Sequence, residues 1–387
     1  MAIISYRNVG ITAMAAGVPK TVIDNYHYDL DIWPEDEVKK VVDKVGVAER
    51  RFADAETCAS DLCFAAAEKL IEDNNINKEE IDLLVFLSQT PDYRMPATSI
   101  LLQDRLGLPM STMAFDISLG CSGFISALSI VYGLMQNHGF RKALLLDGET
   151  RSKVYSRKDR REAFIFGDAG VAALVERDEK FGESYFSLNS DGSRGKLIMI
   201  PGGGYRNMSS VETLKEKVVD EYGNIRTDEN GYMNGADVFN FVIVEVPKDI
   251  KRLMSTSGED IQTMDYYVFH QANAFINNYI AKKMKLDKER IPWTIQKYGN
   301  TSSVSVPLTI VSELKNKMHG KNKLLLSAFG VGMAWATAVV PFVDTKISDI
   351  VEIEKGQCVD EGFRREYIPK EKESDKSEES ETKSLIY

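Results

Sequence analysis

Cys121 is the residue of this chain that is best placed to act as a nucleophile. It lies in the sequence FDISLGCSGF at 115–124, between an extended segment and a long apolar segment that runs from Phe124 to Met135. A strand-to-helix turn of this kind sets the thiol at a helix N-terminus, where the partial positive charge favours the thiolate. A free thiol has a pKa of about 8.5, so a nucleophile needs such help at neutral pH. The alternative is a small core residue, because cysteine is among the most buried residue types.

His270 is the histidine best placed to work with such a nucleophile. It follows a predicted strand at 266–269 and precedes a predicted helix, so it stands at the carboxyl end of a strand. Open α/β sheets bind their ligands at that end. The other histidines, His27, His138 and His319, lie in polar surroundings or near helix ends. A catalytic cysteine requires an adjacent base or hydrogen-bonding partner, and His270 is the candidate for that role.

Asn300 is a third candidate. It lies in the sequence YGNTSS at 298–303, where the Gly-Asn pair is typical of a turn. The functional alternative is that its side-chain amide donates a hydrogen bond to a developing oxyanion. From these residues alone, both readings remain open.

These candidates need a scaffold, and the apolar patterning predicts one. The predicted strands are 81–87, 142–146, 172–175, 266–269, 323–327 and 336–340. The predicted helices are 60–72, 97–106, 122–136, 238–253, 274–284 and 305–317. Alternating strands and helices predict an α/β fold. The helix after Cys121 is apolar all round, so we expect it to be buried on every side in a three-layer or five-layer architecture.

The two halves of the chain resemble each other in sequence order. Residues 84–89 (LVFLSQ) resemble 267–272 (YVFHQA), and the segment 116–124 around Cys121 corresponds to 296–304 around Asn300. Several pairs in the same order indicate an internal duplication, whereas any single pair could arise by chance between apolar strands.

The composition of the chain disfavours several classes of partner and site. The chain has 387 residues and a formal net charge of -10, which disfavours nucleic acid as the main partner. Its four cysteines form no CxxC pair, which favours a reducing cytoplasm, and only four histidines are present, so we expect no metal site. We find no signal-peptide pattern and no apolar run of membrane-spanning length, so we expect no membrane association.

From residue 346 onward the alternation of apolar strands and helices weakens. Residues 369–382 are rich in Lys, Glu and Ser, which predicts a disordered tail rather than a solvated helix.

The motifs GCSGF at 120–124, FHQAN at 269–273 and GNTSS at 299–303 follow the order seen in β-ketoacyl-acyl-carrier-protein synthase III. The segments FGDAG at 166–170 and AFGVG at 328–332 also resemble that family. The resemblance covers about residues 3–343. It implies the thiolase-like fold, in which two duplicated βαβαβαββ halves form a layered αβαβα core. The halves would be 1–176, with the nucleophile, and 177–345, followed by the tail at 346–387.

The resemblance also implies a reaction, a decarboxylative Claisen condensation without a cofactor. Cys121 would accept an acyl primer from acyl-CoA or an acyl carrier protein, with the backbone N–H groups of Cys121 and Gly332 as the oxyanion donors. His270 and Asn300 would hold the malonyl thioester of an acyl carrier protein while CO₂ leaves, and a homodimer is implied. Val331 stands where the family has its middle glycine.

Other positions depart from the family pattern. Lys40 replaces a tryptophan and Lys44 an arginine of the stretch that contacts CoA, so the primer could come from CoA or from a carrier protein. Met95 aligns with the phenylalanine that the partner subunit lends to the acyl pocket. Phe275 aligns with an arginine implicated in carrier docking, while Lys282 and Lys283 retain basic positions. Phe329 completes the predicted substrate-binding residues.

Two alternatives differ in chemistry. A same-fold acyltransferase would move the acyl group from Cys121 to an alcohol or amine without decarboxylation. A non-catalytic acyl-binding partner of the same fold would not need Cys121, His270 and Asn300 together. A biosynthetic thiolase is disfavoured, because it has a histidine where this chain has Asn300.

Overall fold

The architecture comes from a computed structural model that describes residues 3–359. The strands are β1 Ile3–Arg7, β2 Val9–Pro19, β3 Val22–Asp24, β4 Glu49–Arg51, β5 Ile81–Leu87, β6 Met113–Ile117, β7 Lys142–Thr150, β8 Asp168–Arg177, β9 Glu183–Ser190, β10 Ile198–Met199, β11 Lys217–Val218, β12 Ile225–Arg226, β13 Tyr232–Met233, β14 Tyr266–Phe269, β15 Lys321–Gly330, β16 Ala334–Val343, β17 Lys346–Ile347 and β18 Val351–Ile353. The α-helices are α1 Glu35–Val45, α2 Ala59–Asn74, α3 Thr98–Arg105, α4 Gly123–Met135, α5 Val211–Leu214, α6 Gly235–Ser257, α7 Ala274–Met284, α8 Ile295–Tyr298 and α9 Ser305–Leu314.

Two sheets that share a four-strand arrangement, β2-β8-β7-β5 in one and β9-β16-β15-β14 in the other, form the framework. The larger has the order β17-β2-β8-β7-β5-β6, and the smaller has the order β1-β9-β16-β15-β14. In the larger sheet β8 is antiparallel to both β2 and β7, while β5 is parallel to β7 and β6. In the smaller sheet β16 is antiparallel to both β9 and β15, and β15 is parallel to β14. This repetition confirms the predicted duplication.

The elements stack in five layers. Helices α4 and α9 lie between the sheets, where Phe124, Leu128 and Leu308 share one buried cluster with Val85 of β5 and Leu326 of β15. Helix α2 packs on the outer face of the larger sheet, and α6 and α7 pack on the outer face of the smaller one. The buried α4 expected from its apolar surface is therefore confirmed. The N-termini of α4 and α9 carry Cys121 and the segment after Asn300.

The C-terminal boundary differs from the prediction. We expected the tail to begin at residue 346, but β17 and β18 pair in parallel with β2 and extend the larger sheet to Ile353. The apolar side chain of Ile353 is buried against Leu62 of α2, which explains why this short segment is ordered. The polar segment 369–382 lies outside the described residues. At the other end of the chain, β1 pairs with β9 of the smaller sheet, so each sheet takes an edge strand from the opposite half.

Candidate active site

Cys121 lies between β6 and α4, as its sequence setting predicts. The thiol is buried, with 7% of the residue exposed. The chain at Gly330 passes directly over it, since a Cβ atom at Gly330 would stand 2.5 Å from the Cys121 Sγ. A glycine is therefore required at 330 for the end of β15 to approach the sulfur.

His270 follows β14 directly, and its ring is held by a serine of α9. Its Nδ1 lies 2.7 Å from the Ser305 Oγ, and that hydroxyl also accepts the Gln271 N–H at 3.3 Å. The ring packs edge-on against Phe329, with the centroids 5.4 Å apart. Because Nδ1 is occupied by Ser305, Nε2 is the ring nitrogen that remains for the cavity.

Asn300 follows the short helix α8 rather than a strand. Gly299 takes a φ of 64° before it, and a Cβ atom there would stand 2.6 Å from the Ile165 carbonyl oxygen, so this turn requires glycine. The Asn300 Oδ1 accepts the N–H of Ser302 at 2.9 Å. The side-chain oxygen is thereby used, and the amide NH₂ is the group left to donate.

The structure brings the three candidates together. Cys121, His270 and Asn300 line one cavity of about 70 Å³, together with Phe329 and Val331. The three candidates come from three separate connections, after β6, β14 and α8, which the two duplicated sheets bring to one place.

The thiol is electrostatically activated. Burial alone would raise the pKa of Cys121, but the charge and hydrogen bond of His270 oppose it, followed by the charge of Arg151 and the hydrogen bond of Ser302. The result is a pKa lowered from 9.0 to about 7. Cys121 is therefore substantially thiolate at neutral pH, as a nucleophile requires.

Arg151 is a site residue that the sequence analysis missed. Only 4% of it is exposed, and its Nη2 donates to the Gln89 Oε1 at 2.8 Å and to the Ser302 Oγ at 3.0 Å. Its Nε lies 3.5 Å from the Oε2 of the fully buried Glu149. The Ser302 hydroxyl is in turn 3.9 Å from the Cys121 Sγ. One sequence feature could have identified Arg151. It stands two residues from Glu149, directly after a predicted apolar strand, and oppositely charged residues that are buried at such a place are usually paired.

The predicted oxyanion donor Gly332 is not among the residues that line this cavity within 3–359, whereas Gly330 and Val331 are. The Val331 side chain is close to the Cys121 loop, since a Cβ atom at Gly120 would stand 3.0 Å from the Val331 Cβ. Val331 does not have a positive φ, so the valine fits the turn without strain.

The remaining predicted substrate residues lie outside the cavity, with one exception. Phe329 lines it, but Met95 is 76% exposed in the connection before α3. Lys44 is exposed in the last turn of α1, and Lys282 and Lys283 are exposed in the last turn of α7. Lys283 also donates to the Ile243 carbonyl at 2.6 Å.

In the described part of the chain, no group of three or more His, Cys, Asp and Glu side chains could hold a metal ion. Among the helices of the same residues, none has the length and apolar character needed to cross a membrane.

Comparisons with known proteins show which sequences and structures this chain resembles. Residues 115–192 match the sequence profile of 3-oxoacyl-[acyl-carrier-protein] synthase III, and 254–342 match that of its C-terminal part. A relative from Campylobacter jejuni, which carries the name 3-oxoacyl-[acyl-carrier-protein] synthase 3 provisionally, is 34% identical over 81% of this chain and 88% of its own length. A β-ketoacyl-[acyl-carrier-protein] synthase III from Caldanaerobacter subterraneus is 32% identical over 86% of this chain and 97% of its own length.

A solved structure is similar over most of the chain. The 3-oxoacyl-(acyl-carrier protein) synthase from Burkholderia xenovorans superposes with a TM-score of 0.85 and 36% identity, covering 91% of this chain and 99% of its own. This likeness confirms the predicted thiolase-like fold.

Proposed function

Because the chain belongs to the 3-oxoacyl-[acyl-carrier-protein] synthase III family, we propose that Cys121, His270 and Asn300 carry the two steps of that family's reaction. The protein is a condensing acyltransferase: it joins an acyl primer to malonyl-acyl carrier protein, releases CO₂ and forms a β-ketoacyl-acyl carrier protein without a cofactor. The observation that carries the assignment of residues is the single cavity that Cys121, His270 and Asn300 line.

In the first step, the Cys121 thiolate attacks the thioester carbonyl of the primer, and the carrier is expelled as a thiolate, which takes a proton from the charged His270 and leaves as a thiol. The oxyanion that forms requires donors fixed in advance. The N–H of Cys121, at the start of α4, is one. Gly332 was expected to supply the second, but the wall of the cavity is formed by Val331, and we propose the Val331 N–H instead.

In the second step, His270 and Asn300 hold the carbonyl oxygen of the malonyl thioester. The Ser305 hydroxyl accepts the Gln271 N–H, so its own proton is free to be donated to the His270 Nδ1. Once acylation has removed the thiolate and its partner charge, that arrangement favours the neutral imidazole with its proton on Nε2, which faces the cavity. The amide NH₂ of Asn300 is the second donor, since its oxygen already accepts the Ser302 N–H. Together they would stabilise the enolate formed when CO₂ leaves, and the enolate carbon then attacks the acyl group on Cys121.

The carrier of the primer is a separate question. Lys44, at the end of α1, and Lys282 and Lys283, at the end of α7, are exposed basic groups that suit an anionic carrier, either CoA or an acidic acyl carrier protein. None of the three lines the cavity, which fits a role in docking rather than in chemistry.

A homodimer is the assembly we propose, in the cytoplasm. Strand β6 is an edge strand of the larger sheet, and Met113 on it is 47% exposed, close in sequence to the fully exposed Met110. Unpaired edge strands with apolar side chains favour pairing with another chain. Met95 would then face the partner's cavity.

The dimer is tested with a pair of exposed methionines. Met113→Lys should convert the dimer to a monomer in light scattering, whereas Met208→Lys, which changes an exposed methionine in a loop, should not. A monomeric wild-type protein would contradict the proposal.

The function is tested by separating the two steps. Cys121→Ala should abolish covalent uptake of a labelled acyl primer, measured by intact mass. Asn300→Ala should retain that uptake but lose about 10²–10³-fold in CO₂ release from malonyl-acyl carrier protein. If the wild-type protein takes up the primer but never releases CO₂, the condensing reaction is refuted and simple acyl transfer is supported.

A further inference from the structure

The cavity beside Cys121 is polar on one side, where Arg151 enters it. Arg151 lines both the Cys121 cavity and an adjoining cavity of about 200 Å³. The two share Arg151, Tyr155, Ile198 and Val331, so these residues border both cavities.

The hydrogen-bonding capacity of Arg151 is incompletely used. A guanidinium has five N–H donors. Its Nη2 donates to Gln89 and Ser302, and its Nε faces Glu149. Within residues 3–359, the hydrogen bonds of Arg151 come from Nη2 and none comes from Nη1, while the buried Nε has only the 3.5 Å contact to Glu149. A buried donor that stays unpaired is costly, so an acceptor from a ligand would be favoured here.

The charge of Arg151, in contrast, is already balanced. Glu149 is fully buried and within ion-pair distance of the guanidinium, and it also accepts the Gln89 N–H and the Thr90 hydroxyl. A carboxylate on the ligand would add a second negative charge next to the buried Glu149. A plain hydrocarbon chain would leave the free donors unpaired.

We propose that the acyl primer carried by Cys121 is a short chain with a neutral oxygen substituent, a hydroxyl or oxo group, which accepts a hydrogen bond from Arg151. The Ser302 hydroxyl, which bonds Arg151, is 3.9 Å from the Cys121 sulfur, so the oxygen belongs on one of the first few carbons after the thioester. This inference rests on the proposed function, because it names the substrate class of the acylation step.

The test compares three primers of equal chain length, offered as pantetheine thioesters, since the pantetheine arm is common to CoA and carrier proteins. They are butanoyl, 3-hydroxybutanoyl and succinyl, and the rate of Cys121 acylation is measured by intact mass. The wild-type protein should take up 3-hydroxybutanoyl at least about tenfold faster than butanoyl or succinyl, as expected for one satisfied buried donor. Equal acylation rates, or a faster rate with butanoyl, would overturn the inference and leave Cys121 as the acyl site.

Two variants test whether Arg151 and Glu149 cause the preference for 3-hydroxybutanoyl. Glu149→Gln should raise the succinyl rate relative to 3-hydroxybutanoyl, because Arg151 then lacks its counter-ion. The double variant Glu149→Gln with Arg151→Met should reduce the ratio of 3-hydroxybutanoyl to butanoyl to about one. Ratios are taken within one protein, so a change in the thiol pKa cancels. A double variant that keeps the wild-type ratio would overturn the role of Arg151, and the wild-type ratios decide the primer class even if a variant fails to fold. A wild-type protein that takes up none of the three would overturn both the Cys121 assignment and this inference.

Discussion

His270 should control the ionisation of Cys121 as well as the later decarboxylation. Burial raises the pKa of the thiol, and His270 provides the leading contributions that lower it to about 7. In His270→Ala, burial is opposed only by Arg151 and Ser302, so we expect the pKa to return to at least the ordinary value of 9.0. The difference corresponds to about 3 kcal/mol of thiolate stabilisation. At neutral pH the thiolate fraction should fall from about one half to about one hundredth.

The assay is the pH dependence of alkylation by iodoacetamide, followed at the Cys121 peptide by mass spectrometry. The wild-type rate should rise with pH and level off above about 7, whereas the variant should react about 50-fold more slowly at neutral pH and keep rising into the alkaline range. Asn300→Ala is the matched control, because Asn300 lines the same cavity and is not among the groups that shift the pKa. An unchanged midpoint in His270→Ala would refute the ion-pair reasoning.

Two further substitutions test how the site is held. Ser305→Ala removes the hydrogen bond that fixes the His270 tautomer and should slow CO₂ release about tenfold while acylation persists, whereas Ser312→Ala, on the same helix, should change neither rate. Preserved CO₂ release in Ser305→Ala would contradict the tautomer assignment. Gly330→Ala sets a methyl group 2.5 Å from the Cys121 sulfur and should reduce acylation at least about 100-fold, while Gly192→Ala, where an added Cβ meets no atom within 4 Å, should acylate normally. Normal acylation in Gly330→Ala would mean that the chain at 330 does not lie over the thiol.

Local patterns in the sequence were enough where the apolar spacing of an element is unambiguous. The bounds of β5, β14 and α7 are as predicted, because the two strands are short, mainly apolar runs and α7 repeats apolar residues at helical spacing, as at Ile276 and Ile280. Strand β2 was missed, since its sequence VGITAMAAGVP is rich in alanine and glycine, which have low strand propensity. Its small residues have a tertiary reason: a Cβ atom at Gly17 would stand 2.4 Å from the Leu62 carbonyl of α2.

The sequence by itself determined which residues could do the chemistry. The turns around Cys121 and His270 are encoded by the neighbouring strands and helices, and the order of the motifs indicated the family. Only the tertiary structure decided what surrounds the thiol. Arg151 bonds Ser302 across 151 positions of sequence, and Ser305 holds His270 across 35. Such contacts arise because the two duplicated sheets bring the ends of β7, β14 and α8 to one cavity, and side chains that meet through the packing of distant elements leave no periodic signal in the sequence.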